Sequence, residues 1–146
     1  MKNEMILSFS ASLENEPFAR TCVASFIAAL NPTIDEIVEV KTIVGEAVSN
    51  AIIHGYNCDA SRTVLIKASV HDQTLMIKVE DEGNGIENIE EAKQPMYTSK
   101  KELEHAGMGL SIIEALCNQM EIYSYPNFGT QLIMVKKFHD EKRRYD

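Results

Sequence analysis

Residues 46–55 read Glu46-Ala-Val-Ser-Asn50-Ala-Ile-Ile-His54-Gly55, and this decamer, set against a later Asp81-Glu-Gly83-Asn-Gly85, decides the fold. The decamer belongs to a longer helical pattern. Ile37, Val40, Val44, Ala47, Val48 and Ala51 fall on one stripe at 3.6-residue spacing, as a helix half-sunk in a core requires. At 100° per residue, Glu46 and Asn50 lie on roughly the opposite side, one turn apart on a common face. Thr33, with Glu36 three residues on, supplies a capping box, and Gly55 is placed to end the helix, so the spacing predicts a helix from about Thr33 to Tyr56.

Upstream, residues 4–11 are apolar-rich and predict a first strand. Glu16-Pro17 then predicts a helix start, because a proline in the first turn loses no needed N–H. The following run carries Phe18, Cys22, Phe26 and Ala29 at helical spacing and stops at Asn31-Pro32. Downstream, Thr63–His71 and Gln73–Asp81 predict a hairpin turned by His71-Asp72-Gln73. A loop, a short helix near Ile89 and a polar segment from Gln94 to about Gly107 precede a helix over Gly109–Met120. Glu121–Tyr125 and Thr130–Phe138 complete the chain as a hairpin. The order implies an α/β two-layer sandwich, helices on one side of a mixed, mostly antiparallel sheet. Residues 1–138 make one domain, and residues 139–146, with Lys136 and Lys137 just before them, read as a solvated charged tail.

Four segments bear chemistry together: the decamer, Asp81 to Gly85, Gly107-Met-Gly109, and Gly129-Thr130. Each alone has an ordinary structural explanation: a wet helix face, a turn, a loop-to-helix joint, a strand threonine. In this order and spacing they resemble the sequence boxes of the GHKL superfamily, whose members share the Bergerat ATP-binding fold. Gyrase-type ATPases, the ninety-kilodalton chaperones, mismatch-repair ATPases and histidine kinases belong to it.

The resemblance implies ATP and Mg²⁺ as cofactors. Mg²⁺ keeps several waters and takes one or two protein oxygens besides phosphates, which suits a single amide oxygen from Asn50 as metal ligand. Glu46, one turn away, suits a catalytic base for phosphoryl transfer. The family pattern assigns Asp81 to the adenine amino group and Thr130 to the same hydrogen-bond network. Gly83 and Gly85 let the backbone approach the base. Gly107 and Gly109, before a helix, leave N–H groups open to phosphate. The stretch between Pro95 and Gly107 matches the family's ATP lid, where Thr98, Ser99, Lys100, Lys101 and His105 offer donors or charge to the phosphates. His54 reads as structural, since helix C-termini favour histidine.

Composition narrows the alternatives. With 14 Lys and Arg against 22 Asp and Glu, the net charge of −8 works against a phosphate backbone, so no direct nucleic-acid partner is expected. Cys22, Cys58 and Cys117 are odd in number and never paired as C-x-x-C, which suits a reducing compartment and offers no zinc spacing. Neither a leader nor an apolar span is evident, so a cytoplasmic protein without membrane attachment is expected. Asn88 stands where a dinucleotide fingerprint would need its third glycine, and no Gly-x-x-x-x-Gly-Lys-Ser/Thr segment exists.

The size, the segment from Glu46 to Tyr56, and Leu13-Glu-Asn-Glu-Pro17-Phe-Ala-Arg20 are similar to the anti-sigma-factor serine kinases of endospore-forming bacteria. That likeness implies a homodimer acting in trans. It would inhibit a sporulation sigma factor of the sigma-F type and phosphorylate a serine on an anti-anti-sigma protein. An ATP-gated sequestering module with little kinase activity, or an isolated histidine-kinase catalytic domain, are the alternatives. Glu16 and Arg20, four apart on the first helix, read as surface decoration or as a partner contact.

Overall fold

The capping box at Thr33 forms as the sequence predicts. In the computed structural model, which describes residues 2–94 and 109–139, Thr33 Oγ1 accepts from Glu36 N at 3.1 Å and Glu36 Oε1 accepts from Thr33 N at 2.9 Å. Helix α2 runs from there over Ile34–Asn50 and buries Val40, Val44, Ala47 and Val48. Each fully buried Val or Ile contributes about 1.5–3 kcal/mol. The α-helix stops at Asn50, short of the predicted Tyr56. Ala51–Gly55 continues as a wider π turn, with Tyr56 N donating to Ala51 O at 3.0 Å. Such turns re-aim the residues that follow them.

The elements are β1 (Lys2–Ser10), α1 (Asn15–Phe26) with a 3₁₀ turn over Ile27–Leu30, α2, β2 (Thr63–His71), β3 (Thr74–Asp81), α3 (Ile89–Ala92), α4 (Gly109–Leu116), β4 (Gln119–Tyr125) and β5 (Gly129–Lys137). The strands form one sheet in the order β1-β2-β3-β5-β4. Its four pairings are all antiparallel, so the expected mixture with parallel strands does not occur among the described residues. Val64, Ile66, Ala68, Val70, Leu75, Ile77, Val79, Leu132 and Met134 alternate along the strands into one core beneath the helices. The opposite sheet face carries Ile6, Met76 and Tyr123, all exposed. This is the two-layer α/β sandwich expected.

Three local expectations are corrected. Helix α1 buries Ala19 and Val23, and the 3₁₀ turn after it buries Ile27 and Leu30, whereas Phe18 is 48% exposed and Ala29 is exposed. Both stripes of α1 are apolar, and only packing against α2 selects between them. Helix α4 ends at Leu116 rather than Met120, because Asn118 N joins Val135 O at 2.8 Å and starts the β4 pairing. Lys136, read as part of a solvated run, is 7% exposed; its Nζ reaches Leu116 O at 2.8 Å and pairs with Glu39. His139 likewise docks on the start of α2, its Nδ1 2.6 Å from Glu36 Oε1.

Candidate nucleotide site

The π turn delivers Gly55 against the end of β3. A Cβ on Gly55 would lie 2.7 Å from Asp81 Oδ1, and one on Gly83 would run into the Gly55 carbonyl. Gly129, at φ +117°, leaves no room for a Cβ beside the Asp81 carbonyl. Gly85, at φ +76°, abuts the Tyr125 carbonyl in the same way. Backbone from three parts of the chain therefore converges within van der Waals contact, which only residues without a side chain permit.

Hydrogen bonds hold this joint. Asn84 N donates to Gly55 O at 2.8 Å, Asn84 Nδ2 to His54 O at 3.2 Å, and Asn127 N to Asn84 O at 2.7 Å. Glu82 N donates to the Tyr56 hydroxyl at 2.6 Å, which itself donates to Thr63 O at 2.8 Å. Arg62 donates to Glu82 O at 2.8 Å and stacks 4.8 Å over the Tyr56 ring. Sequence reasoning missed Tyr56, Arg62 and Asn84 in these roles. None has a spacing that announces it; only the adjacency of Tyr56 to Gly55 hints at one.

Asp81 sits at the centre, 8% exposed, with Oδ1 accepting from Gly83 N at 2.9 Å. Burial pushes its pKa up to about 6, against the pull of the Gly83 and Thr130 N–H groups and of Arg62. Thr130 lies opposite it across the β3–β5 ladder and is 6% exposed. The Thr130 hydroxyl is 2.7 Å from Ser124 Oγ, which also accepts from Ile86 N at 2.7 Å. Asp81 and Thr130, both named from the sequence as site residues, thus stand side by side on neighbouring strands.

Glu46 and Asn50 are both half-buried on α2, one turn apart, on the helix that leads into the joint. Gly109 opens α4, which packs against α2. Lys93 Nζ pairs with Glu114 on α4 at 3.0 Å, joining the end of α3 to α4. Thr98, His105 and Gly107 lie outside the described residues, as do the rest of the lid residues named above. Among the described residues no cluster of three or more His, Cys, Asp or Glu side chains could hold a metal. Half-buried Asn50 would offer a single amide oxygen, a donor of the kind Mg²⁺ accepts beside phosphate and water oxygens.

A buried carboxylate at a strand end, glycine-lined and approached by a helix bearing Asn and Glu, defines a nucleotide-binding domain of the ATPase and kinase type. The sequence profile of the histidine kinase-like ATPase domain matches residues 9–136. An anti-sigma F factor of Clostridium perfringens is 54% identical over 139 residues, covering 95% of this chain and 99% of its own length. Another, from Oceanobacillus iheyensis, is 49% identical over 146 residues and the full length of both chains. The RsbU and RsbW domains of Rv1364c from Mycobacterium tuberculosis align with a TM-score of 0.68 at 18% identity. That alignment covers 93% of this chain and 32% of the longer one, and shows the shared fold. The chain belongs to the histidine kinase-like ATPase domain family and, within it, to the anti-sigma F factors. No helix among the described residues is long and apolar enough to cross a membrane.

Proposed function

We propose that this chain is a cytoplasmic, homodimeric anti-sigma factor that inhibits a sporulation sigma factor of the sigma-F type. It phosphorylates a serine of its anti-anti-sigma antagonist. The observation that carries the enzymatic half is the placement of buried Asp81 in the glycine joint at the end of the helix bearing Asn50 and Glu46. The names of the relatives support the regulatory half.

Mg²⁺-ATP, when bound, supplies the γ-phosphoryl group. Asp81, ionised, accepts the hydrogen of an adenine amino group, with the Thr130–Ser124 hydroxyls beside it. The Gly83 N–H holds Asp81 Oδ1 in place beside the base. Asn50 offers its amide oxygen to the metal. Glu46 accepts the proton of the attacking serine hydroxyl as the new oxygen–phosphorus bond forms and the bond to the β-phosphate bridging oxygen breaks, releasing ADP. The exposed Ile6, Met76 and Tyr123 on the sheet face opposite the helices suit a second copy.

The test is incubation with γ-labelled ATP, Mg²⁺ and a purified anti-anti-sigma protein. Acid-stable phosphoserine on that partner is expected. Sigma-factor capture without labelling would support the sequestering module instead, and acid-labile phosphohistidine the histidine-kinase reading.

A further inference from the structure

Between α1 and α2 lies a cavity of about 400 Å³ whose wall includes Glu46 but not Asn50. Its other lining residues include Leu13, Glu16, Arg20, Lys41 and Gly45. Glu16 and Arg20 pair at 2.8 Å across the surface of Gly45, where a Cβ would lie 2.5 Å from Glu16 Oε1 and 3.0 Å from Arg20 Cδ. The glycine brings α1 close enough for that pair to form one wall.

Two acidic and two basic side chains line this cavity. Glu16 and Arg20 offset each other. Glu46, under the reading above, faces the hydroxyl it deprotonates. Lys41 remains: it is half-buried on α2, and among the described residues no carboxylate pairs with it. A half-buried ammonium in a cavity is a recognition element for an anion.

Resting on that kinase reading, we infer that the cavity receives the acceptor segment of the protein substrate, and that Lys41 selects a segment with an acidic side chain close to the acceptor serine. Lys41 and Glu46 are five residues apart, about 7.5 Å along the helix axis and about 140° around it, so they border the cavity from two sides. An extended chain advances about 3.3 Å per residue, so the acid lies at least about two residues from the serine. Leu13, 39% exposed at the rim, accepts an apolar side chain of the same segment. Lys41 is thus a specificity-determining residue that does not touch the nucleotide.

The experiment measures phosphoryl transfer from labelled ATP to purified anti-anti-sigma protein, and separately the dissociation constant of that partner for the ADP-bound protein. Lys41→Glu raises KM and the dissociation constant for the partner by about tenfold or more, as expected for reversing one charge at a half-buried contact. It leaves kcat and ADP affinity within about twofold. Lys41→Arg stays near wild type, and replacing the partner's acidic residue nearest the serine with Lys restores binding to Lys41→Glu. Unchanged KM and partner affinity in Lys41→Glu overturn the inference. So does a parallel loss of ADP affinity, which would mark Lys41 as merely structural. Should the wild type bind the partner in a Lys41-dependent way yet transfer no label, the kinase reading fails and the docking cavity stands.

Discussion

Gly55 and Asp81 touch: a methyl group on the glycine would sit 2.7 Å from Oδ1 and 2.8 Å from Cγ of the aspartate. The end of the helix that carries Asn50 and Glu46 is thereby fitted against the one buried carboxylate among the described residues. Movement of either element disturbs the other, because close-packed contacts transmit strain.

Gly55→Ala accordingly forces the aspartate aside or opens the joint. Overpacking of this kind costs about 1–3 kcal/mol, read as a lowered midpoint in urea. Calorimetric titration with ADP is expected to show affinity falling by about tenfold or more, one decade being about 1.4 kcal/mol. Full affinity in Gly55→Ala would mean that the carboxylate does not need its present position.

Asp81 links stability to pH with a definite sign. Its folded pKa of about 6 exceeds its ordinary 3.8, so the folded state binds the proton more tightly. Apo stability therefore falls as pH rises from about 4 to about 6 and is level beyond, by at most about 3 kcal/mol. Asp81→Asn removes this decline, which denaturant titrations across pH 4–7 would measure. An adenine amino donor favours the ionised carboxylate, so wild-type affinity for nucleotide increases through the same window while that of Asp81→Asn stays flat and weaker. A flat wild-type profile would count against the adenine contact.

Glu46→Gln keeps the shape of the side chain and removes its basicity. Transfer to a protein serine should drop by about 10²–10⁴, the usual contribution of a positioned base. Titration should find ATP binding little changed. Single-turnover transfer close to wild type would sink the assignment.

Asn50→Ala removes the amide oxygen and leaves α2 intact, since alanine is the best helix former. Nucleotide affinity measured with and without Mg²⁺ should converge in the variant. Persistence of the full magnesium effect would show that the metal finds its protein ligand elsewhere.

Much of this architecture is legible in the order of residues alone. The stripe on α2, the Thr33–Glu36 cap and the strand alternation in β2, β3 and β5 are set by local spacing, and local spacing is what a sequence displays. The four boxes are readable because they fall at strand and helix ends whose order along the chain is fixed. The correct face of α1 is not readable, since Phe18-Cys22-Phe26 and Ala19-Val23-Ile27 repeat equally well. The embedding of Lys136 and His139 is hidden for a related reason: charged residues near a terminus look solvated unless a distant Glu36 or Glu39 is seen to meet them.

The amino-acid order thus dictates the elements, their layers and the residue types that make the site, because these follow from periodicity and side-chain chemistry within a few turns. Three-dimensional packing alone settles that α2 widens into a π turn, that Gly55 abuts Asp81, and that the aspartate's pKa climbs toward 6. The physical reason is range. Burial and steric exclusion depend on atoms that residues 50–56, 81–85 and 124–130 bring to one point, and no segment carries a record of the other two.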